Sequence, residues 1–93
     1  METLLTMLKV DLGIRSTTLY DARLTQLLTA ARQAIVAEGI KTLDDGDPLD
    51  QQLIVMYTAW LWRQRDDVKA MPRGLRLALN NRKFCKKESG ADD

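Results

Sequence analysis

The chain of 93 residues contains no histidine and a single cysteine, Cys85. Histidine is the commonest general base and metal ligand, so the usual catalytic and metal-binding arrangements lack their central residue. One thiol forms neither an internal disulfide nor a zinc site, which predicts an intracellular, reducing environment. The longest nearly apolar run, Leu53 to Trp62, has ten residues, whereas a membrane-spanning helix needs roughly 20. We therefore expect no enzyme activity, no metal or other cofactor, no small-molecule substrate and no membrane partner.

Other candidate sites are incomplete. The spacing of Asp44, Asp45 and Asp47 does not match a calcium loop, and no glutamate follows where a bidentate ligand is needed. The glycines are too isolated to form a phosphate-binding loop. Residues 1–5 contain an acid and no base, so we expect no secretory signal there. The net charge of +1 does not by itself indicate a nucleic-acid partner.

Glycine and proline divide the chain into four helix-length segments, and no stretch alternates apolar and polar residues in the manner of a strand. From Lys86 onward the chain is charged and contains a glycine, which predicts a flexible end. We expect an all-α fold, a small bundle of four helices (short, long, long, short), with one helical domain over 1–85 and a disordered C-terminal tail over 86–93. The helices are predicted to cover Glu2 to about Val10, the segment between Thr18 and Gly39, Pro48 to about Arg65, and the residues after Pro72.

The second and third helices carry the predicted core. Their apolar residues recur with the 3.6-residue period of one helical face, which predicts that these two faces pack together. Thr17 or Thr18 is the predicted N-cap of the second helix, and Asp47, followed by Pro48, is that of the third. The predicted core residues of the protomer are Leu24, Leu27, Leu28, Ala31, Ile35, Leu53, Met56, Tyr57, Trp60 and Leu61.

The third helix is apolar nearly all round between Leu53 and Trp62. One interpretation is that it is the central helix of the bundle, wrapped by the other three. The other interpretation is that a second subunit covers part of it, because contiguous exposed apolar surface usually marks an interaction site. Ile54, Val55 and Trp62 lie off the predicted core face and are the candidates for that contact.

Charge is distributed unevenly along the chain. Five acids and one base lie between Glu38 and Asp50, whereas six bases and no acid lie between Met71 and Lys87. The two segments are either solvated surface, or complementary edges of neighbouring subunits, or, for the basic segment, a surface close to DNA phosphates. The candidate subunit or partner contacts in the basic segment are Arg73, Arg76, Arg82 and Lys83. If they contact a neighbour, Arg76→Glu together with Arg82→Glu should weaken assembly without unfolding the protomer.

One segment is similar to a known family. It begins at Met71-Pro72 and reads MPRGLRLALNNRKF over residues 71–84. This string resembles the C-terminal motif of the small head–tail connector proteins, also described as DNA-packaging proteins, of long-tailed phages and prophages. It departs from that pattern at Gly74, where a larger apolar residue is expected. The resemblance extends over about residues 3 to 85, with compatible segments at 8–11, 28–32 and 59–63.

The resemblance implies a structural protein. It implies a ring of about a dozen copies below the portal, with double-stranded DNA passing through the central channel during packaging and ejection without sequence specificity. The implied neighbours are other copies of the chain, the portal protein and a tail-side head-completion protein. The implied locations are the host cytoplasm during assembly and then the head–tail junction of the virion.

A second hypothesis concerns the same basic segment. A small helical DNA-binding or regulatory module would use residues 73–87 as its footprint on DNA. A recognition helix presents polar side chains to base edges, and Arg76, Asn80 and Asn81 are of the required type.

Overall fold

A computed structural model describes the backbone of residues 2–14, 17–64 and 70–92, and the side chains of these ranges as far as Lys83. The described residues form four helices and no strand, so the predicted all-α class and the number and order of helices are confirmed. The helices are α1 (Glu2–Leu12), α2 (Asp21–Ala37), α3 (Pro48–Gln64) and α4 (Arg73–Asp92).

The ends of α1 and α2 follow local backbone chemistry. Gly13 (φ 75°) and Gly39 (φ 117°) adopt positive φ just beyond these helices, a conformation that glycine allows without a Cβ clash. The predicted threonine cap of α2 is wrong, because Tyr20 occupies the N-cap position and its side chain makes no capping hydrogen bond with the described residues. The hydroxyl of Thr17 instead accepts the N–H of Leu19 at 3.1 Å, which uses it in the preceding turn.

Helix α3 begins as predicted and lies at the centre of the bundle. The carboxylate of Asp47 accepts the N–H of Leu49 at 3.1 Å, which confirms the N-cap. Helices α1, α2 and α4 all pack against α3. This position explains why α3 is apolar on so many sides. It also buries Thr58, whose hydroxyl donates to the carbonyl of Ile54 at 2.7 Å.

The hydrophobic core joins all four helices. Six of the predicted core residues are buried, and Leu27, Met56, Trp60 and Leu61 are half-buried at its margin. Further buried residues come from α1, from the α2–α3 loop and from α4, so the core is larger than two helix faces. The buried apolar residues are Leu4, Leu8, Leu24, Leu28, Ala31, Ile35, Ile40, Leu53, Ile54, Val55, Tyr57, Ala59, Leu75 and Leu79.

Helix α4 crosses the N-terminal half of α3. Its backbone is helical for 20 residues, longer than the short fourth helix that the sequence predicts. Within the part whose side chains are described, Leu75 and Leu79 are buried against the core. The predicted tail over 86–93 falls where no side chain is described and stays a prediction.

Candidate functional site

A buried carboxylate joins α3 to α4. Asp50, in the first turn of α3, has no exposed surface, and Arg82 of α4 is 17% exposed. The guanidinium of Arg82 donates from Nε to Oδ1 of Asp50 and from Nη2 to Oδ2, the latter at 3.1 Å. Such two-point pairing between arginine and a carboxylate fixes the geometry as well as the charge. The two helices are therefore joined by a specific buried ion pair.

The same pair organises the loop before α3. The backbone N–H of Asp44 donates to Oδ2 of Asp50 at 2.9 Å. Nη2 of Arg82 also donates to the carbonyl oxygen of Thr42 at 3.2 Å. We call Thr42, Asp44, Asp50 and Arg82 the Asp50 cluster. Because buried charges need both a counter-charge and hydrogen bonds, the cluster satisfies Asp50 from the loop and from α4 together.

Glu38, at the end of α2, makes a second contact with α4. Its Oε1 accepts from Arg76 Nη1 at 3.3 Å and from Lys83 Nζ at 3.2 Å. Hydrogen bonds from Lys83 and Arg76 hold the pKa of Glu38 below its ordinary value of 4.5. Burial raises the pKa of nearby Tyr57, and the Glu38 charge raises it further. One carboxylate thus binds two bases that lie two turns apart on α4.

Three of the four predicted contact residues in the basic segment have partners within the chain, and whether they also contact a second subunit stays a prediction. Arg76, Arg82 and Lys83 all bind acids of the same chain, so the acidic and basic segments complement each other within one protomer. The expectation that replacing Arg76 and Arg82 by glutamate leaves the fold intact is therefore revised. Among the predicted contacts, Arg73 is exposed and has no ion-pair partner within the described residues.

Two of the three predicted contacts on α3 are also corrected. Ile54 and Val55 are 0% and 3% exposed in a single chain, so they belong to the protomer core and form no subunit surface. The reason is the central position of α3, which places helices on either side of it. Trp62 is half-buried and packs edge-on against Tyr20, with ring centroids 5.5 Å apart.

An apolar groove lies beside the Asp50 cluster, between α3 and α4. Its volume is about 390 Å³, and Leu53, Met56 and Ala78 contribute to its walls. Leu49 lines it and is 76% exposed, and Leu77, next to Ala78 in the chain, is 52% exposed. We call this cavity the α3–α4 groove. Its complete lining is Thr42, Asp47, Leu49, Asp50, Gln52, Leu53, Met56, Ala78, Asn81 and Arg82.

The sequence contains a signal for the Asp50 cluster that the prediction did not use. Asp50 precedes the buried Leu53 and Ile54 by three and four residues, so it lies on the apolar side of α3. Arg82 follows the buried Leu79 by three residues on α4. An acid and a base that each continue an apolar stripe are candidates for a buried pair. Their pairing with each other depends on the crossing of the two helices.

Comparison of the chain with protein-family models, with curated proteins and with solved structures gives no match. Within the described ranges, no group of three or more cysteine, aspartate or glutamate side chains is arranged to hold a metal ion. None of the described helices has the length and apolar character that crossing a membrane requires.

Proposed function

We propose that the protein is a structural head–tail connector subunit of a tailed phage or prophage. In this role copies assemble into a ring of about a dozen below the portal, and DNA passes through the central channel. Its partners are further copies of the chain, the portal protein and a tail-side head-completion protein. The proposal excludes catalysis and places the protein in the host cytoplasm before it joins the virion.

The observation that supports the proposal is the way in which the segment 71–84 packs against the rest of the chain. Its apolar residues Leu75 and Leu79 are buried against the bundle, and its Arg82 binds the buried Asp50. Residues of the segment 71–84, which resembles the connector motif, thus attach α4 to the bundle. A four-helix chain of this kind is also what the resemblance implies.

Exposed apolar side chains give further support. Leu49, which lines the α3–α4 groove, and Leu77 on α4 are both exposed, and exposed apolar surface is the usual mark of an assembly contact. In contrast, Arg76, Arg82 and Lys83 are engaged by acids of the same chain. The DNA-binding hypothesis relied on this basic segment, so no described contact favours it over the connector.

The test uses the full chain and the portal protein encoded in the same genome. Purified portal is incubated with the chain, and the product is examined by light scattering and by electron microscopy. The expected result is a ring of the chain on one face of the portal. Arg73→Glu should weaken this association because Arg73 is an exposed base of the motif with no ion-pair partner among the described residues. Arg23→Glu, an exposed base on α2, is the matched control and should not.

Two results would contradict the connector. One is the absence of any complex with the portal at concentrations where both proteins are soluble. The other is tight binding of duplex DNA by the free chain that weakens steeply between two salt concentrations, as phosphate contacts do. The second result would favour a DNA-binding module.

A further inference from the structure

The α3–α4 groove extends along both of the helices that form it. Leu49, Leu53 and Met56 line its α3 wall and lie on one helical face, since they are four and three residues apart. This apolar stripe covers two turns, or roughly 11 Å along the helix axis. The small side chain of Ala78 lines the facing wall on α4. The groove is therefore an elongated apolar recess, and Leu49 remains 76% exposed while it is empty.

The charged side chains in the lining leave one negative charge uncompensated. Asp50 and Arg82 bind each other and neutralise their charges. Asp47 is half-buried, and its carboxylate caps α3 but has no ion-pair partner among the described residues. Just outside the lining, the exposed Lys41 and Asp44 carry opposite charges and leave this balance unchanged. The groove thus favours an occupant with a positive charge and disfavours phosphates and carboxylates.

Two amide side chains lie on opposite walls of the same groove. Gln52 of α3 and Asn81 of α4 are exposed lining residues, and neither hydrogen-bonds to a described residue. Each amide both donates and accepts hydrogen bonds, as the N–H and C=O groups of a peptide backbone require. An alkyl chain offers no partner to either amide. Polar groups on both sides of an apolar recess therefore favour a peptide over a simple amphiphile.

We propose that the α3–α4 groove binds a short segment of another protein, one that carries bulky apolar side chains next to a lysine or an arginine. The apolar side chains fill the recess, as in other grooves that bind peptide segments. The base pairs with Asp47, and the amides of Gln52 and Asn81 hydrogen-bond to the backbone of the segment. The inference requires neither a ring nor a portal.

A peptide library tests the chemistry of the occupant. Short random peptides displayed on phage are selected on the immobilised full chain in the presence of soluble Ala78→Phe protein. The phenyl ring of this variant fills the groove, so the soluble competitor removes peptides that bind elsewhere. The selected sequences should combine bulky apolar residues with lysine or arginine. Enrichment of acidic sequences, or of no sequence that distinguishes the two proteins, would overturn the inference.

The affinity of a selected peptide, measured by fluorescence anisotropy, tests the apolar recess. Ala78→Phe should raise the dissociation constant about tenfold or more, because the ring occupies the place of the peptide side chains. Ala30→Phe, at an exposed alanine of α2, is the matched control and should leave the constant unchanged. Circular dichroism establishes that both variants fold.

The charge is tested by a variant that keeps the helix cap. Asp47→Asn removes the charge and retains a side chain that caps a helix. It should raise the dissociation constant about threefold and reduce its dependence on salt, because one ion pair is lost. Asp11→Asn, at an exposed acid of α1, is the control and should do neither. If Ala78→Phe does not fold, equal affinities of the Asp47→Asn and wild-type proteins would overturn the inference.

Two further measurements distinguish other occupants. Sedimentation equilibrium of the full chain that shows a dimer, which Ala78→Phe dissociates, would assign the groove to a second copy. Displacement of the peptide by decylamine at concentrations below those of the peptide itself would assign it to a small amphiphile. Either result would overturn the inference. None of these experiments involves ring formation on a portal, so the inference and the proposed function fail independently.

Discussion

Helices α2 and α4 both pack against the protein through one face, but different interactions hold them there. Helix α2 contributes Leu24, Leu28, Ala31 and Ile35 to the core, all with no exposed surface. Helix α4 contributes two buried leucines, Leu75 and Leu79, in the part whose side chains are described. The same described part of α4 also attaches through ion pairs, in the Asp50 cluster and in the two pairs with Glu38.

The two helices therefore depend on two different contributions to stability, apolar burial for α2 and ion pairs for α4. Apolar burial is insensitive to pH and salt and scales with area. A buried ion pair contributes little net free energy, but removing one partner is costly because the other charge remains buried. Exposed pairs contribute less and are screened by salt. The attachment of α4 should therefore respond to single charge changes and to acid, whereas that of α2 should respond to changes in side-chain volume and polarity.

The largest effect is expected in α2. Leu28→Asp buries an unpaired charge in the core and should abolish the cooperative thermal unfolding transition. The measurement is circular dichroism against temperature. Val36→Asp is the control, since Val36 is 40% exposed on the same helix. An unchanged melting temperature for Leu28→Asp would disprove the assignment of α2 to the core.

A smaller but still large effect is expected at the Asp50 cluster. Arg82→Leu leaves the carboxylate of Asp50 buried without its counter-charge and should lower the free energy of unfolding by about 3 kcal/mol or more. Arg73→Leu, an exposed base on the same helix, should change it by less than about 0.5 kcal/mol. Urea denaturation measures both. Equal, small effects of the two substitutions would show that the buried pair does not hold α4.

Hydrogen exchange sharpens the same experiment. If the Asp50–Arg82 pair holds α4 against α3, Arg82→Leu should speed the exchange of backbone amide hydrogens in α4 more than in α2. The reason is that local opening of α4 then requires less free energy. Uniform acceleration along the chain would instead show that the pair stabilises the whole fold.

The smallest effect is expected at Glu38. Because the folded-state pKa lies below the ordinary 4.5, the Glu38 contribution is complete above about pH 4.5 and is lost as the pH falls through the lower folded-state value. Glu38→Gln should reduce stability at neutral pH by less than about 1 kcal/mol. The difference between the two proteins should shrink in acid. A difference that stays constant from neutral pH to below the folded-state pKa would contradict the assignment.

The periodic and capping signals predicted much of this fold. The 3.6-residue spacing from Leu24 to Ile35 identified the buried face of α2, and Asp47 identified the start of α3. The threonine cap of α2 was wrong because the helix begins after Tyr20, and the Thr17 hydroxyl accepts the N–H of Leu19 in the preceding turn. Local sequence shows which residues are able to cap a helix, but the path of the turn decides which one does.

The candidate site was harder to predict. Ile54 and Val55 were assigned to a subunit surface because one apolar stripe is sufficient for a surface helix. Their burial depends on helices that wrap α3 from other parts of the chain. The groove could not be predicted at all, because its walls come from two helices whose crossing is set by packing.

By itself the sequence determined the helical class, the bounds of α1, α2 and α3 and the start of α4 within a few residues, and the separation of acidic from basic segments. These properties follow from interactions between residues that are close along the chain. The tertiary structure decided which acid meets which base. Asp50 and Arg82 are 32 residues apart, and only the crossing of α3 and α4 brings them together. A charge asymmetry that suggested contacts between subunits became a set of contacts within one subunit, with Arg73 left exposed.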